Sequence, residues 1–550
     1  MEMPAPNPKV LSLKARLVER LHQVLSTDAV IHEEAETRAY ECDALTAYKC
    51  PPLCAVLPSS TQEVSDVLRI CHDMGVPVVP RGAGTSLAGG ALPTADSVIL
   101  GVARMNEVLE TDYDNRFVRV QTGRTNLSVT GAVEADGFFY APDPSSQLAC
   151  AIAGNIAMNS GGAHCLKYGV TTNNLLGVTM VMMDGTVVEI GGAHMDAGGY
   201  DLLGLICGSE GQLGVVTEAT LRILPKPEGA RPVLMGYDSN EVAGQVVSDI
   251  IKAGVLPVAI EFMDRPCIRA TEAFAKAGYP DCEALLIVEV EGSDAEIDEQ
   301  LGLITQIARK HNPVELREST SAEESARIWL GRKSAFGAMG QINDYMCLDG
   351  TIPVSQLPYV LRRIGEMSRE YGLDVGNVFH AGDGNMHPLI LFDANKPGDL
   401  ELCEAFGADI LRLCVEVGGC SPRPSNCVTD AAHPATCLTL EQATAVCSIQ
   451  RRRLCTDDEF QWLTRFHDDR PHPWGEEPAD CTRAWTRECG DGPAPADRAA
   501  GGNAQGVEDL MGNVAEFLDD GQLADGTDRL TTEAVDSSWV GVRCCRDLSE

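Results

Sequence analysis

The sequence predicts an α+β protein in three parts: a glycine-punctuated first domain, a layered α+β lobe, and a Cys-rich irregular C-terminal module. Three observations carry this. Short helical and β periodicities alternate with glycine loops as far as Pro225; amphipathic helices alternate with strands from there to Val417; and two features of composition change together near Gly419. The length of 550 residues agrees, since one domain per ~100–200 residues suggests roughly three.

Taken in order, Val10 to Leu25 and Val64 to Met74 place apolar residues at helical spacing, and the β-rich run Val76 to Val79 follows the second. That is helix, strand, then glycine loop. Val98 to Val102 and Phe117 to Val120 read as strands, and Ala151 to Val181 as a glycine-rich helix followed by strands. Leu224-Pro225-Lys226-Pro227 breaks both periodicities and marks a boundary. Beyond it, Glu241 to Ala253, Asp294 to Lys310, Val354 to Tyr371 and Leu402 to Val417 predict helices, with Leu285 to Glu291 a strand among them. The expected domains are residues 1–225, 226–420 and 421–550.

The third part is set off by composition. Nine of the 21 cysteines lie from Cys420 onward, and Lys396 is the last lysine. Such a tail suits an oxidising compartment. Taken whole, the chain has the composition of an ordinary globular one, 44% hydrophobic and 22% charged with 53 glycines. A formal charge of −37 offers no field for a polyanion, so nucleic acid is not an expected partner. The N-terminus lacks the grammar of a secretion signal and no apolar run is long enough for a membrane span, which makes the cytoplasm the expected compartment.

Chemistry is concentrated in four glycine-bearing segments of the first domain. Pro80-Arg81-Gly82-Ala83-Gly84-Thr85-Ser86 follows a predicted strand and offers backbone amides with little bulk, a cation and two hydroxyls, which suits a pyrophosphate. Leu87 stands where the dinucleotide fingerprint needs its third glycine, so a Rossmann domain is disfavoured. The other segments are Pro142 to Ser146, Gly154 to Gly162 and Gly208 to Val216. In the lobe, His380-Ala381-Gly382-Asp383-Gly384-Asn385-Met386-His387 can bring two imidazoles together around a turn, and two histidines with a carboxylate would make an open divalent-metal site. Arg332 and Lys333 offer cations, the guanidinium being a planar fork matched to a carboxylate.

These segments resemble the vanillyl-alcohol-oxidase type of flavin-binding domain, and within it the glycolate oxidase flavoprotein subunit and its D-lactate and D-2-hydroxyglutarate dehydrogenase relatives, from about Val10 to Cys420. The resemblance implies a two-lobed FAD-binding domain with Pro80, Arg81, Gly82, Ala83, Gly84, Thr85 and Ser86 around the pyrophosphate. It places Pro144, Ser145, Ser146, Gly154, Asn155, Asn159 and Gly161 beside the ribityl chain and ring, and Gly208, Glu210, Gly211, Gly214 and Val215 as the closing loop. No histidine stands at the family's covalent attachment point, His164 being the nearest, so FAD is expected without a covalent bond. Arg332 and Lys333 are expected to face the substrate, His387 to serve catalysis, and His380 with His387 to bind a divalent metal such as zinc. The implied activity is oxidation of a small 2-hydroxy acid, such as glycolate or D-lactate, by hydride transfer to flavin N5, with an electron-acceptor protein or quinone as partner.

After Gly419 the family continues with a Gly-Glu-His-Gly-Ile-Gly type of segment, which supplies a third metal ligand and a catalytic base, and that segment is missing here. Instead, His433 to Cys437, Arg453 to Phe460, Pro473-Trp474-Gly475, Gly506 to Phe517 and Val540 to Cys544 resemble part of a formylglycine-generating (sulfatase-modifying-factor) domain, whose catalytic cysteine pair cannot be placed. Two alternatives therefore stand beside an active enzyme: a flavin-binding but catalytically impaired protein whose tail serves interaction, and a fusion of unrelated fragments.

Overall fold

A computed structural model describes residues 3–194 and 199–419, with six short strands further on, and divides into two compact units, Met1–Cys420 and Ser421–Glu550. In the first unit, strands Cys54–Val56 and Val98–Gly101 are wholly buried, as parallel strands covered on both faces must be. Val78–Arg81 runs parallel to the second of these at the sheet edge, where Pro80 removes no ladder donor that a central strand would need. The helix Thr61–Met74 makes the crossover. Ser60 Oγ caps its start by accepting from Glu63 N at 3.2 Å, and Gly75 at φ +62° ends it.

Two local expectations shift. The helix foreseen over Val10 to Leu25 is broken into Pro8–Leu11 and Lys14–Leu21, with the Ser12 hydroxyl donating to Lys9 O at 2.7 Å between them. The strand foreseen at Val76 to Val79 runs instead from Val78 to Arg81.

A second, antiparallel sheet follows in the order Val108–Asp112, Phe117–Gln121, Val215–Arg222, Leu175–Val181, Val187–Gly191. All seven residues of Leu175–Val181 are buried, and Val129, Val133, Ile152 and Ile156 of helices Asn126–Val133 and Ile152–Met158 pack over this sheet.

From Gly229 onward one larger sheet dominates. Glu315–Glu318, Gly229–Tyr237, Ala284–Gly292, Ala259–Asp264 and Val375–His380 are antiparallel neighbours, and short strands extend the sheet around Asn385–Met386 and Pro388–Phe392. Helices Asn240–Lys252, Asp294–Lys310, Leu357–Tyr371 and Asp399–Glu416 share one core with Ile260 and Phe262 on one face. Helices Arg265–Ala275 and Ala322–Met339 share the other with Met263, Leu285 and Ile287. Because side chains alternate along a strand, Glu261 falls on the Met263 face, and Glu289 and Glu291 on the Ile287 face. Three carboxylates thus share the face that meets the helix Ala322–Met339.

In the second unit, Arg453–Leu454 pairs with Cys544–Cys545, and Ala515–Phe517 lies between Leu523–Ala524 and Val540–Gly541. Apart from these strands, the segments that resemble a formylglycine-generating domain lie outside the described residues. Among the described residues no helix is long and apolar enough to cross a membrane.

Candidate active site

The four glycine segments converge. A Cβ on Gly82 would lie 3.2 Å from Gly154 N and 3.3 Å from Ala151 Cβ, so the first loop runs against the first turn of the helix Ile152–Met158. Gly84 needs φ +70°, and there a Cβ would lie 2.2 Å from the Arg81 guanidinium. That guanidinium is a brace: its Nη1 donates to Cys42 O at 2.8 Å. In the last segment Gly208, Glu210 and Gly211 all have positive φ, and a Cβ on Gly211 would lie 3.2 Å from Pro80 Cγ. The first and last loops therefore touch.

The amides of this region hold the loops together. Asn155 is buried and its Oδ1 accepts from Asn126 Nδ2 at 3.1 Å, while Asn159 ends its helix at φ +49° and accepts from Thr172 N at 3.0 Å. A Cβ on Gly161 would lie 2.7 Å from Cys165 Sγ, and Gly214 closes within 2.7 Å of Val181 O in the same sense. Val215, the last residue expected in the closing loop, turns its side chain into the core.

A cavity of about 400 Å³ opens beside the first loop, lined by Gly82, Ala83, Asn106, Gly123, Arg124 and Thr125 among others. Its size falls in the ~300–1,000 Å³ range of small-molecule sites. Gly123 to Thr125 escaped the sequence reading, although a glycine between the strand Phe117–Gln121 and the helix Asn126–Val133 is the signal that would have found them. Arg124 donates to Asn106 O at 3.0 Å and to Ser128 O at 2.9 Å, and its Nε is buried without a partner. An orphaned guanidinium nitrogen in a glycine-lined cavity fits an anionic group such as a dinucleotide pyrophosphate.

Across the unit, Glu261 joins two of the expected residues. Its Oε2 accepts from Arg332 Nε at 2.7 Å, and its Oε1 lies 2.8 Å from His380 Nδ1. Burial alone would raise this carboxyl; Arg332 and His380 overcome it and hold the pKa down to about 2. For His380 burial works against the charge, and Glu261 outweighs it, so the imidazole titrates above its usual range. His387 meets His380 edge to face with ring centroids 5.1 Å apart, and its Nε2 is 3.5 Å from Asp349 Oδ1. The turn between them works because Gly384 adopts φ +76° with Ile352 O 2.1 Å from where a Cβ would be.

A second network faces the flavin-side loops. His164 Nδ1 lies 2.7 Å from Asp143 Oδ2 and its Nε2 3.2 Å from Glu289 Oε2, while Trp329 Nε1 donates to Glu289 Oε1 at 2.8 Å. Lys167 Nζ is 2.9 Å from Glu291 Oε1.

Comparison with known proteins places this arrangement. Residues 52–191 match the family described as FAD binding domain, and residues 226–421 match FAD linked oxidases, C-terminal domain. The chain is 50% identical over 392 residues to glycolate oxidase subunit GlcD of Escherichia coli K12, covering 71% of this chain and 79% of that protein. It belongs to the FAD-linked oxidases. The Bacillus subtilis GlcD subunit is 37% identical over 404 residues (73% and 86% covered), and the D-lactate dehydrogenase of Archaeoglobus fulgidus 31% over 392 (68% and 85%). Solved p-cresol methylhydroxylase shares the fold with a TM-score of 0.65 at 16% identity, over 76% of this chain and 90% of that one.

As an FAD-linked oxidase the chain binds FAD, and the glycine loops and the Arg124 cavity fit that group. Lys333 is exposed while Arg332 is buried at 4%, because adjacent helical positions point about 100° apart, and only Arg332 joins the cluster. His380 and His387 do come together, with Nδ1 of His380 engaged by Glu261 as the outer nitrogen of a metal-binding imidazole often is, and among the described residues no three His, Cys, Asp or Glu are arranged to hold a metal ion. The described residues therefore give no support for the expected divalent metal.

Proposed function

We propose that this FAD-linked oxidase, with residues 1–225 as its FAD-binding domain and residues 226–420 as its substrate domain, oxidises a small D-2-hydroxy acid such as glycolate or D-lactate. The reading is carried by the Arg332–Glu261–His380 cluster, in which a guanidinium that can fork a carboxylate and an imidazole that can hydrogen-bond a hydroxyl are held by one buried carboxylate. The similarity to glycolate oxidase subunits and a D-lactate dehydrogenase supports the same substrate class. Bound FAD supplies the two-electron acceptor at its N5. The protein holds the acid's carboxylate at Arg332 and its hydroxyl near His380. FAD is held without a covalent bond, a reading supported by His164, both of whose ring nitrogens face carboxylates. Electrons leave to a partner protein or a quinone.

The experiment is anaerobic titration of the purified yellow protein. Bleaching of the flavin by D-lactate or glycolate is the expected result; flavin that stays oxidised with every 2-hydroxy acid tried would overturn the reading.

A further inference from the structure

Glu289 stands on the buried strand Ala284–Gly292 between Val288 and Val290, and a carboxylate is costly to bury unless its oxygens are partnered. Here each oxygen has a partner, one from each half of the unit. Oε1 accepts from Nε1 of Trp329, on the helix Ala322–Met339, at 2.8 Å, and Oε2 lies 3.2 Å from Nε2 of His164, on the arm that follows the helix Ile152–Met158. The two partners also meet each other, with ring centroids 5.6 Å apart. His164 continues the chain: its Nδ1 is 2.7 Å from Asp143 Oδ2, and its backbone N–H donates to Asp143 Oδ1 at 3.1 Å. The arm is seated closely on both sides, since a Cβ on Gly162 would lie 2.1 Å from Asp143 O and one on Gly382 2.6 Å from Leu166 Cδ2.

The two ends of this chain of contacts give it a consequence. Asp143 belongs to Pro142 to Ser146, one of the segments read above as flavin-side, and Trp329 stands one turn before Arg332 on the same side of its helix. We propose that His164, Glu289 and Trp329 are positioning residues for the oxidation: together they set the spacing between the loop Pro142 to Ser146 and the helix that presents Arg332. This rests on the substrate class and the two domains proposed above. None of the three touches the substrate. The acid is held by its carboxylate at Arg332 and the electron acceptor by the FAD-side loops, so the alignment of the Cα–H bond depends on how far apart these two supports stand. That dependence is steep, because reacting atoms must sit ~3–3.5 Å apart and a misplacement of ~1 Å costs ~100-fold in rate.

Trp329→Phe tests this, since it deletes the indole N–H and keeps an aromatic ring beside His164. With FAD content unchanged, kcat for D-lactate or glycolate should fall about 10- to 100-fold while KM stays within about threefold, the pattern of an interaction that counts only in the transition state. A rise in KM with kcat kept would mean that Trp329 merely steadies the helix around Arg332, and overturns the proposal; so does a kcat within about threefold of the parent. His164→Gln should show the same split, and the double variant should fall below the poorer single one by no more than about threefold, because both act through Glu289. Losses that multiply overturn it. A further readout needs no turnover: hydrogen exchange of the Trp329 indole N–H in ¹⁵N-tryptophan-labelled holoprotein, the signal assigned by its loss in Trp329→Phe. Exchange should quicken about tenfold in His164→Gln, and equal exchange in parent and variant overturns the link. If no 2-hydroxy acid reduces the parent protein, the substrate reading fails, and the indole exchange still decides whether His164 and Trp329 are joined through Glu289. Should Trp329→Phe not retain FAD, His164→Gln carries the kinetic measurement as well.

Discussion

His164 Nε2 and Glu289 Oε2 lie 3.2 Å apart, although one follows the helix Ile152–Met158 of the FAD-binding half and the other stands on the strand Ala284–Gly292 of the larger sheet. Asp143 holds the other ring nitrogen at 2.7 Å, and Lys167 repeats the link one turn on through Glu291. The loops around the flavin are thereby tied to the sheet face that carries Glu261. The tie is ionic. Burial disfavours the charged imidazole, but Asp143 and Glu289 outweigh it and hold its pKa well above the usual 6.5.

A raised imidazole pKa contributes stability that is fully present below about pH 6.5 and is lost as pH rises through the higher folded value. Glu289→Gln should weaken this link. Hydrogen exchange of residues 160–175 is expected to quicken in that variant, and the difference from the parent should shrink at alkaline pH. Equal exchange in both proteins at neutral pH would contradict the link.

Gly123 is the most constrained glycine of the cavity, since an added Cβ would lie 1.9 Å from Val102 O and 2.7 Å from Met105 O, both backbone atoms that cannot swing away. Gly123→Ala should cost about 1–3 kcal/mol in overpacking and lower the ratio of FAD to protein on purification. Thermal unfolding and flavin absorbance together check it.

Arg332 and Lys333 should separate cleanly. Removing Arg332 leaves Glu261 buried beside His380 alone, so Arg332→Ala is expected to cost about 3–5 kcal/mol and to abolish flavin reduction by substrate. Lys333→Ala, at an exposed position, should change stability by less than about 0.5 kcal/mol. Denaturant titration of the two variants side by side decides the matter.

Glu261 also makes an acid limb. A carboxyl held near 2 against an ordinary 4.5 contributes about 3 kcal/mol that is present above pH 4.5 and lost as pH falls toward 2. Unfolding free energy measured from pH 7 down to pH 3 should therefore fall more steeply in the parent than in Glu261→Gln.

The flavin should come free when the protein is precipitated with acid, leaving colour in the supernatant. Colour that stays in the pellet would show a covalent bond and would remove His164 from its ionic role.

Much of the FAD site could be read along the chain because its signals are local. Pro80 to Ser86 follows a strand, the Gly208 to Gly214 run needs positive φ within a few residues, and His380 and His387 sit on one turn. Helix Asp294–Lys310 was likewise legible to the residue, since its apolar positions recur at the helical period. The helix Ala322–Met339 was not, because Gly331, Arg332 and Ala335 lie on its buried side and blur that period. Glu261 left no trace at all: in Ala259–Asp264 every residue is buried, and a strand covered on both faces shows no alternation to mark which side chain meets which partner. Local patterning thus determined that this chain has a flavin-type glycine cradle and a paired imidazole turn. Which cation faces the cluster, which nitrogen of His380 is engaged, and how Glu289 ties the halves were decided by the fold alone, because those contacts join residues 71 to 125 positions apart and depend on how strands register and helices turn.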